Sequence, residues 1–233
     1  MNTDVLIADM SGVYGTQRLP EALEAAGIRF KLLDFKDMEG TSCYCSPASE
    51  TFLREHLPEP LPPVRWIDSG DYHYLSCILA SLQKAPFHFV LLDNHPDNQD
   101  SAFGPVLSCG NWMKRLEGNP FLRSSVTIGP EGCEAPDLDE WMAERSGERL
   151  YISLDKDIMG KDFARTDWSH GSYTLDEVKG LLEMMLCGPM ECVAVDICGE
   201  LSDAKGAGER DRAVNLATNL ELLKTINNHI TKH

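Results

Sequence analysis

Two apolar runs in this chain stop abruptly at charged residues spaced two apart, and few folds accommodate both. The first is Phe87-His88-Phe89-Val90-Leu91-Leu92, followed by Asp93-Asn94-His95-Pro96-Asp97; the second is Leu150-Tyr151-Ile152-Ser153-Leu154, followed by Asp155-Lys156-Asp157. Short runs rich in aromatic and branched residues, bounded by turn formers, read as buried strands. Beyond the first strand, extended backbone sets Asp93, His95 and Asp97 on one side, since alternate residues face the same way. Carboxylates and an imidazole gathered at a buried strand end are costly unless a positive charge compensates, and a divalent metal supplies one. Taken alone, the spacing fits equally well a polar turn in which the aspartates cap a helix or loop. The second strand end shifts the balance. In open α/β sheets, sites form beyond the carboxyl ends of parallel strands, so two such ends far apart in sequence can share a pocket.

The rest of the chain supports such a sheet. Strands are expected at residues 4–8, 28–33, 64–67, 87–92, 125–128, 150–154 and 192–197. Helices are expected at 20–26 (stopped by Gly27), 49–56 (with Ser49 as N-cap), 74–83, 105–116, 138–145, 175–186 and about 210–230. Residues 36–47 read as a loop, and 58–63 as a Pro-rich connector too short to separate domains. Strands alternating with helices imply a mainly parallel sheet covered on both faces, a three-layer α/β/α fold. With 233 residues and 42% hydrophobic content, one domain over residues 1–233 is expected.

Charge narrows the partners. Lys and Arg total 21 against 37 Asp and Glu, a formal charge of -16, which repels phosphate backbones and anionic membranes. Nucleic acid is not an expected partner. Met1 is followed by Asn2-Thr3-Asp4 rather than a basic and then apolar leader, and no long apolar run occurs, so a cytoplasmic chain without membrane spans is expected. Of eight cysteines, Cys77, Cys187, Cys192 and Cys198 lie in apolar segments, where free Cys packs as a small hydrophobe. Cys43-Tyr44-Cys45 is an isolated pair and receives no chemistry. Neither Gly-rich phosphate-loop pattern is present, which argues against nucleotide binding by that route.

Two further strand ends carry chemistry. After Trp66-Ile67 come Asp71 and His73 at a helix start; after Val193-Ala194-Val195 come Asp196, Cys198, Gly199 and Glu200. A histidine opening a helix is more often a surface residue, but its place at a third strand end makes His73 a candidate ligand. Histidine and carboxylates without a consistent cysteine set favour Mn²⁺, with Co²⁺, Fe²⁺, Ni²⁺ or Zn²⁺ able to substitute. His56, His88, His229 and His233 follow no such strand and are expected outside any site.

Taken together, Asp93-x-His95-x-Asp97, Ser153-Leu154-Asp155-Lys156-Asp157, Gly70-Asp71-Tyr72-His73 and Gly171-Ser172-Tyr173-Thr174 resemble, in order, the motifs of the arginase and agmatinase group of ureohydrolases. That group shares its fold with the histone deacetylases. The likeness covers roughly residues 64–200. It implies an eight-stranded parallel sheet and two manganese ions bridged by hydroxide. By the same resemblance Asp93 and Asp155 bridge the ions, His73 and Asp97 complete one position, and His95 and Asp157 complete the other. The implied activity is hydrolysis of a linear C–N bond, guanidino, amidino or amide, in a small molecule, and the acidic balance is compatible with a cationic one. The donor types agree with that chemistry. Two ions generate and orient hydroxide near neutral pH, four carboxylates offset their charge, and a single zinc would normally take fewer acids.

Three departures set this chain apart. Tyr72 is an extra residue between Asp71 and His73. Ser108-Cys109-Gly110-Asn111-Trp112-Met113 lacks the histidine that the family places there as proton shuttle. Asp196-Ile197-Cys198-Gly199-Glu200 is one residue longer than the family's Asp-x-x-Glu. Glu200 is the candidate for holding substrate and His170 for a replacement shuttle, although a loop histidine before a helix is commonly just solvated. Two other readings stay open: a deacetylase-like amide hydrolase with one dominant metal, and a metal-binding, ligand-sensing relative without turnover.

Overall fold

The computed structural model describes residues 5–101, 104–130 and 135–230. Asp4 and His233, on which two expectations fell, lie outside them. The chain runs β1 (Val5–Asp9), α1 (Val13–Gln17), α2 (Leu19–Ala25), β2 (Phe30–Asp34), β3 (Tyr44–Cys45), α3 (Pro47–His56), β4 (Val64–Trp66), α4 (Leu75–Ala80) and β5 (Phe87–Leu92). It continues through β6 (Leu107–Ser108), α5 (Trp112–Leu116), β7 (Leu122–Ile128), α6 (Leu138–Ala143), β8 (Arg149–Asp155), α7 (Leu175–Cys187), β9 (Glu191–Cys198) and α8 (Glu209–Ile230). No helix among the described residues is long and apolar enough to cross a membrane.

Seven strands form one sheet in the order β2-β1-β4-β9-β8-β5-β7, and every pairing is parallel. The near-continuous apolar strands are explained by burial on both faces. On β5, Val90 and Leu92 pack into one core with α1, α2, α6, α7 and α8, while Phe87, Phe89 and Leu91 pack into the other with α3, α4 and α5. Fully burying each such side chain is worth about 1.5–3 kcal/mol. This anchors the central strands firmly enough to hold charged groups at their ends. Because β4, β9, β8 and β5 are consecutive and parallel, their carboxyl ends lie side by side at one edge.

The elements differ from the expected ones in five ways. The sheet has seven strands rather than about eight. β3 and β6 pair antiparallel with each other as a separate two-stranded ribbon, Tyr44 opposite Ser108 and Cys45 opposite Leu107. The expected helix over 105–116 is shortened to α5 because the Asn111 side chain closes a turn, accepting from Ser108 N at 2.8 Å and donating to Val106 O at 2.9 Å. A further short helix, α1, precedes the expected one, α2, and the two meet at Arg18, which adopts left-handed backbone. Finally, Ser46 rather than Ser49 caps α3, its Oγ accepting Ser49 N–H at 3.1 Å just before Pro47.

Gly199 accounts for the extra residue after β9. Its backbone is left-handed (φ +91°), and a Cβ there would lie 2.2 Å from Asp155 Oδ1. Gly199→Ala should therefore lower stability by at least the ~1–3 kcal/mol of a strained backbone position, measured by urea unfolding. An unchanged midpoint would contradict this packing.

Candidate metal centre

Each strand end delivers its groups by a different local device. After β4, a 3-10 turn over Gly70–Tyr72 closes with His73 N–H bonded to Gly70 O at 3.1 Å. This turn accommodates the extra Tyr72, and Asp71 bonds instead to Ser42 and Trp168. After β5, the Asp93 carboxylate accepts His95 N–H at 2.6 Å. The chain does not stay extended to Asp97 as expected: Asp97 has φ 46°, so left-handed backbone, not strand alternation, turns its carboxylate to the same spot. After β8, Asp155 Oδ1 accepts Asp157 N–H at 2.9 Å, which curls the chain so that both acids face the cluster.

The structure brings His73, Asp93, His95, Asp97, Asp155 and Asp157 together. His73 Nδ1 lies 3.1 Å from Asp93 Oδ2, 3.3 Å from Asp97 Oδ2 and 3.4 Å from Asp155 Oδ2. His95 Nδ1 lies 2.8 Å from Asp157 Oδ2 and 3.6 Å from Asp93 Oδ1. Asp93 thus presents one oxygen to each of two neighbouring groups. The far ring nitrogens are tied off: His73 Nε2 meets Ser153 Oγ at 2.9 Å and His95 Nε2 meets Ser169 Oγ at 2.8 Å. These contacts leave both Nδ1 atoms facing inward, the usual means of orienting a ligating imidazole. His73 Nδ1 and Asp93 Oδ2 are buried yet have no well-formed hydrogen bond. Buried polar atoms without partners are rare and costly, and here they converge on a common centre. Among the described residues the donors fall into three groups that could hold a cation, His73/Asp93/Asp97 and His73/Asp155/Cys198, which share His73, and Asp93/His95/Asp157.

Electrostatics points the same way. Burial, then the Asp93 charge, raises the Asp155 carboxyl to about 7, and burial with the Asp155 charge pushes Asp157 well up. Burial alone would lower His73, but Asp93, Asp97 and Asp155 outweigh it and raise it well above its ordinary value. His95, bonded to Asp157 and Asp93, is raised to about 10. Asp93 runs the other way: burial opposes ionisation, yet the two histidines hold it low. The cluster as a whole therefore holds protons tightly, which is how a site built for cations behaves when protons are the only positive charge available.

The cluster floors a cavity of about 300 Å³ whose walls include Cys43, Tyr44, Gln99, Cys109 and Trp168. Trp168 packs against Gly70, where a Cβ would fall 2.6 Å from its ring, and donates to Asp71 at 3.0 Å. In the segment that lacks a histidine, Trp112 is fully buried and donates its indole N–H to Asp97 Oδ2 at 2.5 Å.

Glu200, expected to hold substrate, and His170, expected as a replacement shuttle, stand elsewhere. Glu200 is fully buried and already saturated. It pairs with Lys156 and accepts from Gln17 at 2.8 Å, Asn215 at 2.8 Å and Asn219 at 2.7 Å. The extra Gly199 explains why it does not reach the cavity. His170 bonds to Met159 O at 3.1 Å and is not part of the cavity wall. His56, His88 and His229 bond to Phe52, to Ser124 and Glu148, and to Cys187, away from the cluster. Sequence reasoning missed Cys198. Its ligand atom lies within 4.8 Å of those of His73 and Asp155, and the available signal was its position directly opposite Asp155 in the β8–β9 register.

No known family model matches the chain. An uncharacterized protein of Thermotoga maritima is 26% identical over 210 residues, covering 83% of this chain and 78% of that protein. Among solved structures, proclavaminate amidino hydrolase from Streptomyces clavuligerus superposes with a TM-score of 0.68 at 17% identity, covering 100% of this chain and 93% of that one. Formimidoylglutamase from Bacillus subtilis gives 0.67 at 13% identity, with coverage of 100% and 89%. Helicobacter pylori arginase gives 0.65 at 15% identity, with 99% of each chain covered. The fold is that of the ureohydrolases.

Two outcomes follow from this geometry. Glu200→Ala should strand the Lys156 ammonium in the core and cost about 3–5 kcal/mol in urea unfolding; a residue whose role was to touch substrate would leave the midpoint nearly unchanged. The second concerns metal-free protein. Asp155 and His95 bind protons more tightly folded than unfolded, so the stability they contribute is full at low pH and lost as pH rises, from 3.8 to about 7 for Asp155 and from 6.5 to about 10 for His95. Thermal midpoints of chelator-treated protein should fall between about pH 6 and pH 9, whereas metal affinity should rise over the same range because binding releases protons. A midpoint that rises with pH in the chelated protein would contradict the cluster.

Proposed function

We propose that this chain is a divergent hydrolase of linear C–N bonds, guanidino, amidino or amide, in a small molecule, using two divalent metal ions. The observation that carries the reading is the Asp93 carboxylate, one oxygen toward His73 and the other toward His95. The ureohydrolase fold supports it, as do the names of its structural neighbours, an amidino hydrolase, a formimidoylglutamase and an arginase. The ions belong at the His73 position, with Asp93, Asp97 and Asp155, and at the His95 position, with Asp93 and Asp157. Mn²⁺ is the first expectation for oxygen-rich donors. When bound, the pair supplies a hydroxide near neutral pH and offsets charge that develops on the substrate.

The chain's own groups decide the rest. Ser153 and Ser169 fix the two imidazoles, and Trp112 anchors Asp97. The chain's formal charge of -16 is compatible with a cationic substrate. Proton delivery to the leaving amine is the weak step. Trp112 offers no base, its N–H is committed to Asp97, and His170 is turned to Met159. General acid catalysis is typically worth about 10²- to 10⁴-fold. Arginine, with a poor leaving group, should therefore turn over slowly, and a substrate needing less help should be preferred.

Manganese-loaded protein should be assayed on arginine, agmatine, guanidinobutyrate, formiminoglutamate and acetylated polyamines beside Asp155→Ala, with metal content measured on each sample. The expected result is turnover of an amidino-type or amide substrate well above that of arginine, abolished in the variant together with bound metal. Arginase-like rates on arginine would overturn the argument from the absent histidine. Silence on every substrate with both ions bound would favour a ligand-sensing protein.

A further inference from the structure

We propose that Cys198 is itself a metal ligand, so that the His73 position of the pair takes a thiophilic divalent cation such as Zn²⁺, Fe²⁺ or Co²⁺, while the His95 position remains a nitrogen-and-oxygen site. This rests on the two-ion reading above and assigns a different chemistry to each half of it.

The sequence presents Cys198 as one more apolar residue at the end of β9, and it does border the core beneath α3, α4 and α5, but its sulfur also faces an imidazole and a carboxylate. It lies directly opposite Asp155 in the β8–β9 ladder and is fully buried. The ligand atoms of His73, Asp155 and Cys198 all lie within 4.8 Å of one another, a spacing that one ion can span. The thiol does not stand alone in pointing to a ligand. His73, which shares that group, is buried and its Nδ1 makes no well-formed hydrogen bond, although carboxylates stand 3.1–3.4 Å away.

Coordination would replace the S–H bond by an S–metal bond and release the proton to solvent. The structure tolerates that loss. The thiol donates to Ser69 O at 3.2 Å, and that carbonyl also accepts Tyr72 N–H at 2.9 Å, so it keeps a donor when the thiol proton leaves. Thiolate selects borderline and soft cations over Mn²⁺ and Mg²⁺. The second group, Asp93, His95 and Asp157, contains no sulfur. The two positions should therefore fill in order and with different ions when several are offered.

Cobalt separates this proposal from the reading beneath it. Chelator-treated protein titrated with Co²⁺ should develop a near-ultraviolet sulfur-to-cobalt charge-transfer band that saturates at one equivalent, before the second ion binds. Cys198→Ser should lose that band while keeping the visible ligand-field bands, and Mn²⁺ should compete for its first position about tenfold better or more. A Cys43→Ser, Cys109→Ser double variant should keep the band, which excludes the two thiols on the cavity wall. Stoichiometric cobalt binding without the band, or a band that survives Cys198→Ser, would overturn the sulfur ligand and leave the two-ion reading intact. Failure of the wild-type protein to bind cobalt or zinc would overturn both. Should Cys198→Ser not fold, zinc X-ray absorption on the Cys43→Ser, Cys109→Ser protein decides the matter. A sulfur shell at about 2.3 Å supports the proposal, and a shell of nitrogen and oxygen alone overturns it.

Discussion

Four carboxylates buried at one sheet edge set the terms for the rest of the molecule. Asp93, Asp155 and Asp157 are nearly inaccessible, Asp97 is largely so, and no Lys or Arg pairs with any of them among the described ion pairs. Isolated buried charge is among the costliest features a fold can carry. The positive charge that meets these acids inside the protein is that of two histidines, and two histidines do not neutralise four acids. Lys156 sits between two of the acids in sequence, yet its ammonium pairs with Glu200. Among the described residues Lys156 is the one buried lysine, and it is turned away from the cluster, which is left open to cations from outside.

That arrangement is affordable because the scaffold beneath it is apolar and rigid. β4, β9, β8 and β5 are covered on both faces, so their ends can be strained and charged without loosening the sheet. The Glu200 network ties the same edge to α1 and α8 through Gln17, Asn215 and Asn219. A residue that the motif order marks as a substrate contact thus serves as a structural counter-ion. Gly199, with its bare Cα against Asp155, separates the two roles.

Much of this was legible from residue order. The apolar runs 87–92 and 150–154 were read as buried strands, and β5 and β8 are those strands with nearly the same ends. Their charged ends sit together because the sheet is parallel, a property that alternating strands and helices already imply. What stayed hidden depends on backbone turns and long-range packing. The turn at Asp97 needs a left-handed residue that an aspartate does not advertise. The β3–β6 ribbon is too short for any periodicity. Cys198 looks apolar from the run that leads into it, whereas its partner across the ladder is Asp155. Glu200 looked available because burial by Lys156 and α8 residues cannot be read from its local segment.

The central claim is that the six side chains around Asp93 hold two cations. Anomalous diffraction from crystals of metal-loaded protein tests it most directly. The account predicts two peaks about 3.5–4 Å apart, one among His73, Asp93, Asp97 and Asp155 and the other among Asp93, His95 and Asp157. A loaded crystal that shows these side chains in place and no anomalous peak between them would contradict it.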